Sequence, residues 1–227
     1  MDLEKFFKAN NIVIVGVSKD PKKVGHVIFR NLLDANFRGN LFLVNPNAYE
    51  ILNREAYKSV NAIRHEIELA VIAVPAKKVL DVIKDCGKKG IKNIVVVSSG
   101  FKEIGNEKLE TQLKELVTKF KINMIGPNCL GVFDAYTKLD TLFLPRYRLK
   151  RPGPGGISFV SQSGAIGSAI LDLATTENYG ISKFVSYGNA TTIDESDILE
   201  YLAHDKETKV ICLYLEAVKD GKKFIET

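Results

Sequence analysis

The chain has 227 residues, which is enough for one large or two modest domains. Its formal net charge of +5 is mild and its lysines are scattered, which argues against a nucleic-acid-binding face. Cys86, Cys129 and Cys212 form no paired motif, the N-terminus carries acid residues and no signal-peptide run, and no stretch is apolar enough to span a bilayer. These features predict a cytoplasmic protein without structural disulfides or a membrane segment. His26, His65 and His204 lie outside metal-ligand spacing of one another and of the cysteines, so no metal site is expected.

In chain order, Leu3 to Ala9 reads as a short helix and Asn11 to Gly16 as a buried strand ending in glycine. Val24, Val27, Ile28 and Leu32 recur at helical period over 24–34. A strand at 41–44 is stopped by Asn45-Pro46, and one at 69–74 by Pro75. A helix over 77–86 follows, then a strand at 93–97 ended by Ser98-Ser99-Gly100. A helix over 107–120 leads to a strand at 122–125, closed by Gly126-Pro127-Asn128-Cys129. Uninterrupted apolar strands alternating with amphipathic helices predict a doubly wound α/β domain, a parallel sheet covered on both faces.

Arg146 to Gly156 is rich in Arg, Pro and Gly and reads as a linker. The βα alternation then restarts with strand 157–160, helix 165–175, strand 183–186, helix 194–203, strand 209–215 and a helix near Lys219. The expected division is therefore a 1–145 domain, a 146–156 linker and a partial 157–227 domain. Three parallel strands would leave the second sheet with a poorly covered edge, so the chain is expected to be part of something longer.

Ligands of an open parallel sheet bind outside the carboxyl ends of its strands. In the first domain those ends are small, polar or proline residues, and they offer no carboxylate pair, Ser-His-Asp set or metal cluster. Together they read as a cofactor cradle, although each alone reads as a turn. The first turn lacks GxGxxG and the second strand ends in Asn45-Pro46 rather than an acid, so a dinucleotide is disfavoured. Lys19, Lys22 and Lys23 suit a cofactor with several phosphates, or are simply a solvated loop. In the second domain, strand, turn and helix at Ser161-Gln162-Ser163-Gly164-Ala165 present bare backbone N–H groups and a positive dipole end to an anion. The same residues also describe an ordinary capped turn.

With these residues placed, the chain resembles the NDP-forming acyl-CoA synthetases, and among them the ADP-forming acid–CoA ligases related to the succinyl-CoA synthetase alpha subunit. The likeness is carried by IVIVGVSKDPKKVG (12–25), LVNPN (43–47), AVIAVPA (70–76), VVVSSGFKEIG (95–105), MIGPNCLGVFD (124–134), GGISFVSQSGAIGSAILD (155–172), YGNATTIDESDILEYL (187–202) and ICLYLEAVKDGKKF (211–224). It implies a Rossmann-like domain that binds coenzyme A, followed by the first part of a flavodoxin-like ligase domain. By position, Gly16, Ser18, Lys19 and Pro21 would line the first loop of the coenzyme A site, and Asn45 and Pro46 would border the nucleotide. Val74, Pro75, Ser98, Ser99 and Gly100 would follow the pantetheine arm, with Asn128 and Cys129 near the thiol. Cys129 also reads as a small core residue and is not expected to be a nucleophile.

The resemblance further implies a phosphate site at Ser161, Gln162, Ser163, Gly164 and Ala165. Glu216 would be the carboxylate that orients a phosphorylated histidine. The implied reaction joins a small carboxylic acid to coenzyme A through an acyl phosphate and a phosphohistidine. An ATP-grasp domain or beta subunit outside this chain would bind ATP or ADP with magnesium, and an oligomer is expected. None of the three histidines matches the family's loop, so the reactive histidine is expected beyond this chain. Ser168 either borders an acyl pocket or is an ordinary helix-face serine, and the acyl group stays open among acetate, branched, aryl and hydroxy acids. The other reading is a non-catalytic module that binds coenzyme A or a nucleotide.

Overall fold

The computed structural model describes residues 2–227; Met1, the first residue of the expected 1–145 unit, lies outside them. A one-turn helix α1 (Lys5–Lys8) precedes β1 (Asn11–Val15), α2 (Val24–Asp34) and β2 (Asn40–Val44). Two short strands, β3 (Glu50–Ile51) and β4 (Arg54–Tyr57), pair antiparallel with each other, and β4 then adds parallel to β2. β5 (Leu69–Ile72), α3 (Ala76–Lys89), β6 (Asn93–Val96), α4 (Glu107–Lys119) and β7 (Asn123–Ile125) complete a seven-stranded sheet. Its order is β3-β4-β2-β1-β5-β6-β7.

Strand β1 shows why both faces are covered. Ile12 and Ile14 point into one core with Phe6, Phe7, Phe29 and Leu32, while Val13 and Val15 point into the other with Val79, Ile83 and Val117. Side chains alternate at period two, so a strand that is apolar at every position needs helices on both sides.

The second sheet holds five strands, where three parallel ones were expected. β8 (Gly131–Asp134) and β9 (Leu139–Asp140) form a hairpin, and β8 pairs antiparallel with β11 (Ile181–Ser186). β10 (Pro154–Ser161) lies between β11 and β12 (Val210–Tyr214), parallel to both. The order is β12-β10-β11-β8-β9, with α5 (Gly164–Thr176) and α6 (Glu195–Ala203) in the connections and α7 (Gly221–Glu226) after β12. The hairpin thus belongs to the second sheet although it precedes the 146–156 segment, and β10 already begins inside that segment. Four- and two-residue strands carry too little periodicity to be read from sequence.

The two sheets share one core. Val160 and Val185 of the second sheet pack into the same cluster as Ile12, Ile14, Phe29 and Leu32, whereas their neighbours Phe159 and Phe184 turn to a separate cluster with Leu171 and Ala174 of α5.

Candidate functional site

Two clefts open at the carboxyl ends of the strands, and they share three lining residues. The first, of about 620 Å³, is lined by Gly16, Ser18, Lys23, Val24, Gly25, Ala73, Val74, Pro75, Val97, Ser98, Ser99 and Phe143. Its shape depends on two glycines in contact. A Cβ on Gly16, whose φ is +98°, would stand 2.4 Å from the Ala73 carbonyl oxygen, and one on Gly25 would stand 2.3 Å from that of Gly16. The β1–α2 loop therefore closes tightly onto the start of α2. That start points the unpaired first-turn amides of Val24 and Gly25 at the groove, beside Lys23. The rest of the groove is mainly apolar, with Ser98 Oγ donating to the Val74 carbonyl at 2.6 Å.

The second cleft, of about 670 Å³, is walled by Asn128, Cys129 and Leu130 after β7, by Gln162 to Ala165 at the β10–α5 turn, and by Gly188, Asn189 and Glu216. Val97, Ser99 and Phe143 line both clefts, which are therefore neighbours.

At the β10–α5 turn, Ser163 caps α5: its Oγ accepts from the Ile166 N–H at 3.4 Å. The Gly164 and Ala165 amides occupy the first turn, where a helix supplies no acceptors of its own. Ser161 departs from the expectation. It is fully buried and its hydroxyl donates to the Ser163 carbonyl at 2.6 Å, so it shapes the turn instead of facing the cleft. Gln162 ties the turn to the end of β12. Its Oε1 accepts from the backbone N–H groups of Glu216 at 3.0 Å and Ala217 at 3.2 Å, and from the Tyr187 hydroxyl at 3.4 Å. Glu216 is thereby fixed at the cleft rim with its carboxylate exposed.

The cleft's far wall is a polar network across the two sheets. Glu110 is buried and accepts from Asn189 Nδ2 at 2.8 Å, Thr191 Oγ1 at 2.9 Å and the Lys102 backbone N–H at 3.1 Å. Lys102 Nζ donates to the Asn189 carbonyl at 2.7 Å. Glu103 accepts from Asn189 Nδ2 at 2.8 Å and from the amides of Gly100 and Phe101. Burial alone would raise the Glu103 carboxyl, but these hydrogen bonds outweigh it and hold the group below the usual carboxylate range.

Of the expected residues, Gly16, Ser18, Val74, Pro75, Ser98 and Ser99 line the first cleft, and Ser99, Asn128, Cys129, Gln162, Ser163, Gly164, Ala165 and Glu216 the second. Lys19 and Pro21 are exposed and outside the groove lining, where Lys23 stands instead. Asn45 braces the loop by donating to the Val17 carbonyl at 2.6 Å, and the Pro46 carbonyl accepts from Lys58, so both lie beyond the groove wall. Gly100 is committed to the Glu103 turn. Cys129 is buried, its Sγ donates to the Val96 carbonyl at 3.3 Å, and burial pushes its thiol up to about 12, which keeps it protonated and inert.

Lys102, Glu103, Leu130, Phe143, Leu144, Gly188 and Asn189 were missed as cleft residues. Lys102, Glu103, Leu130, Gly188 and Asn189 stand inside segments that carry the family resemblance, which was the available signal; Phe143 and Leu144 had none. His26 is tied to the Ser18 carbonyl, His65 packs on Phe42 and His204 ends α6; none lines either cleft. Among the described residues no group of side chains is arranged to hold a metal ion, and no helix is long and apolar enough to cross a membrane.

Residues 10–135 match the family model described as CoA binding domain, and residues 154–227 the one described as succinyl-CoA ligase like flavodoxin domain. An ADP-forming acetate–CoA ligase of Methanocaldococcus jannaschii is 44% identical over 95% of this chain and 30% of its own length. The alpha subunit of ADP-forming acetate–CoA ligase II of Pyrococcus furiosus is 40% identical over 99% of this chain and 48% of its own length. The chain therefore spans a third to a half of these curated relatives. A solved structure of Ca. Korarchaeum cryptofilum acetyl-coenzyme A synthetase 1, in complex with phosphate and ADP, superposes with a TM-score of 0.94. It is 41% identical, and the match covers 99% of this chain and 48% of that one.

Proposed function

Since the chain belongs to the CoA binding domain family and carries a succinyl-CoA ligase like flavodoxin domain after it, we propose that it is the coenzyme A and phosphate half of an ADP-forming acid–CoA ligase. The observation that carries this reading is the adjacency of the two clefts, which share Val97, Ser99 and Phe143. A long, largely apolar groove with a basic helix start at its outer end fits a phosphorylated cofactor on a flexible arm. It ends where unpaired amides and a carboxylate face one another.

In this reading Lys23 and the α2 amides hold phosphates of the cofactor, and Val74, Pro75, Ser98 and Ser99 flank the pantetheine arm. The thiol end arrives near Asn128. Gly164 and Ala165 N–H groups and the Ser163 hydroxyl stabilise the phosphate that attacks, or leaves, the acyl carbon. They are fixed before the reaction, so no reorganisation is needed when charge shifts between phosphoryl oxygens. The Glu216 carboxylate accepts a hydrogen bond from one ring N–H of a histidine supplied from outside this chain. That sets the tautomer and stabilises the imidazolium as the other nitrogen takes the phosphoryl group. Transfer to ADP, with magnesium, then belongs to an ATP-grasp domain or beta subunit.

The acid is read as a small monocarboxylate. Lys102 is the one cation lining the second cleft among the described residues, and it is already engaged by Asn189 and by Glu110 at 3.5 Å, so a second substrate carboxylate has no counter-ion there. A non-catalytic module would use the same groove but leaves the α5 terminus and Glu216 without a role.

Calorimetric titration of the chain with coenzyme A, dephospho-coenzyme A and NAD tests the reading. Coenzyme A is expected to bind, with loss of affinity when the 3′-phosphate is removed. A preference for NAD, or no binding of coenzyme A, overturns it.

A further inference from the structure

Phe143 comes from the segment between β9 and β10, far in sequence from the strand ends that make the first cleft, yet its ring lines both clefts. It also packs against two of the three hydrophobic clusters at once. The other two residues that line both clefts, Val97 and Ser99, are small.

The backbone on either side of Phe143 is held with unusual completeness. Asn31, a buried residue of α2, gives one amide N–H to the Leu142 carbonyl at 2.6 Å and the other to the Leu144 carbonyl at 3.0 Å. Both donors of that side chain are thus spent on the two carbonyls that bracket residue 143. Arg151 donates to the Leu144 carbonyl at 2.8 Å and to the buried Asp140 carboxylate at 3.2 Å, and Arg146 reaches the same carboxylate at 2.8 Å. The Phe143 N–H donates to the Leu130 carbonyl at 3.4 Å. The backbone that carries the ring is thus pinned at both neighbours, and the ring itself is held by packing against the two clusters. Beyond it, Leu130, Phe143 and Leu144 form the apolar wall of the second cleft, facing Gly164, Ala165 and Ser168.

We propose that Phe143 is the specificity-determining threshold between the cofactor groove and the acyl end of the cleft, and that Asn31 is the residue that positions it. The inference rests on the coenzyme A reading above. The fixed ring sets the width through which a thioester must pass, so it admits short acyl groups and penalises broad ones. Asn31 touches no ligand; it acts by holding the segment that carries the ring.

The test is a titration of the intact chain with coenzyme A, acetyl-CoA and phenylacetyl-CoA, using wild type, Phe143→Ala, Phe143→Leu and Asn31→Leu. Wild type is expected to bind phenylacetyl-CoA about tenfold more weakly than acetyl-CoA, and Phe143→Ala to narrow that ratio to about threefold or less. Affinity for free coenzyme A is measured for each protein as the reference against which its acyl ratio is read. Phe143→Leu keeps most of the packing and is expected to fall between them, which covers the case in which the alanine variant fails to fold. Asn31→Leu, nearly isosteric but unable to donate, should relax the ratio as well as lower the melting temperature. A purely structural asparagine would lower the melting temperature alone. An unchanged acyl ratio in both Phe143 variants, or a wild-type ratio near one, overturns the proposal while leaving the coenzyme A reading intact. A wild type that binds none of the three ligands overturns that reading, and the threshold with it.

Discussion

The two clefts are made of different material. The groove at the first sheet is built from backbone: strand ends, a glycine contact and the start of α2. The cleft at the seam adds to the backbone start of α5 a set of side chains from distant segments, brought together by Glu110, Asn189, Gln162 and Lys102. A backbone-built site tolerates many side chains but no change in chain path. A side-chain-built site tolerates small backbone shifts but loses function when one partner is removed.

The largest expected effect breaks the first region through its backbone. Gly16→Val places a branched side chain at a positive φ and against the Ala73 carbonyl, and is expected to cost more than about 3 kcal/mol, seen as a large drop in the denaturation midpoint. Retained stability with retained coenzyme A affinity would show that the loop is not the rigid element described. The second region should respond in rate before stability. On the proposed ligase reading, Glu216→Gln, at an exposed position, is expected to lower turnover of the assembled enzyme by about a hundredfold, or about 2.7 kcal/mol, with coenzyme A affinity of this chain nearly unchanged. Equal turnover in steady-state assays would remove Glu216 from the mechanism.

Gln162→Leu sharpens the contrast between holding and reacting. It removes the acceptor for two backbone N–H groups and is expected to cost about 1–3 kcal/mol of stability and about tenfold in turnover, read by thermal melting and steady-state assay. The smallest effect is on pH. The Glu103 carboxyl is held low in the folded protein, so its contribution is present above the carboxylate's ordinary value and is lost as the pH falls through the depressed one. Melting curves between pH 7 and acid should therefore show a part of the acid destabilisation that is absent in Glu103→Gln, amounting to less than about 2 °C because the group is partly screened by solvent.

Legibility in the sequence followed the same division. Long apolar strands and periodic helices of the first sheet could be read within about two residues at most ends, because burial on both faces leaves a continuous apolar run. Gly16, Val74, Pro75 and Ser98 could be placed in the groove because strand ends point to one edge of the sheet. The β8–β9 hairpin, the β3–β4 pair and the cleft residue Phe143 could not. The two hairpins are too short to show periodicity, and their places in the sheets, like the place of Phe143, are set by contacts with other segments of the chain. Ser161 was misread for a related reason: a hydroxyl at a helix start looks the same in sequence whether it faces a ligand or, as here, its own turn.

The hairpin has a consequence for how the protein folds. β8 and β9 leave the first sheet's last strand directly, yet they finish the far side of the second sheet, and both sheets feed one cluster of buried side chains. Cutting the chain at the Pro- and Gly-rich stretch near residue 150 would strip β11 of its antiparallel neighbour and open the common core. The two units are therefore interleaved, not strung in series. Their unfolding should register as one cooperative transition, with the second sheet unable to reach its native register until the chain ahead of it has already docked.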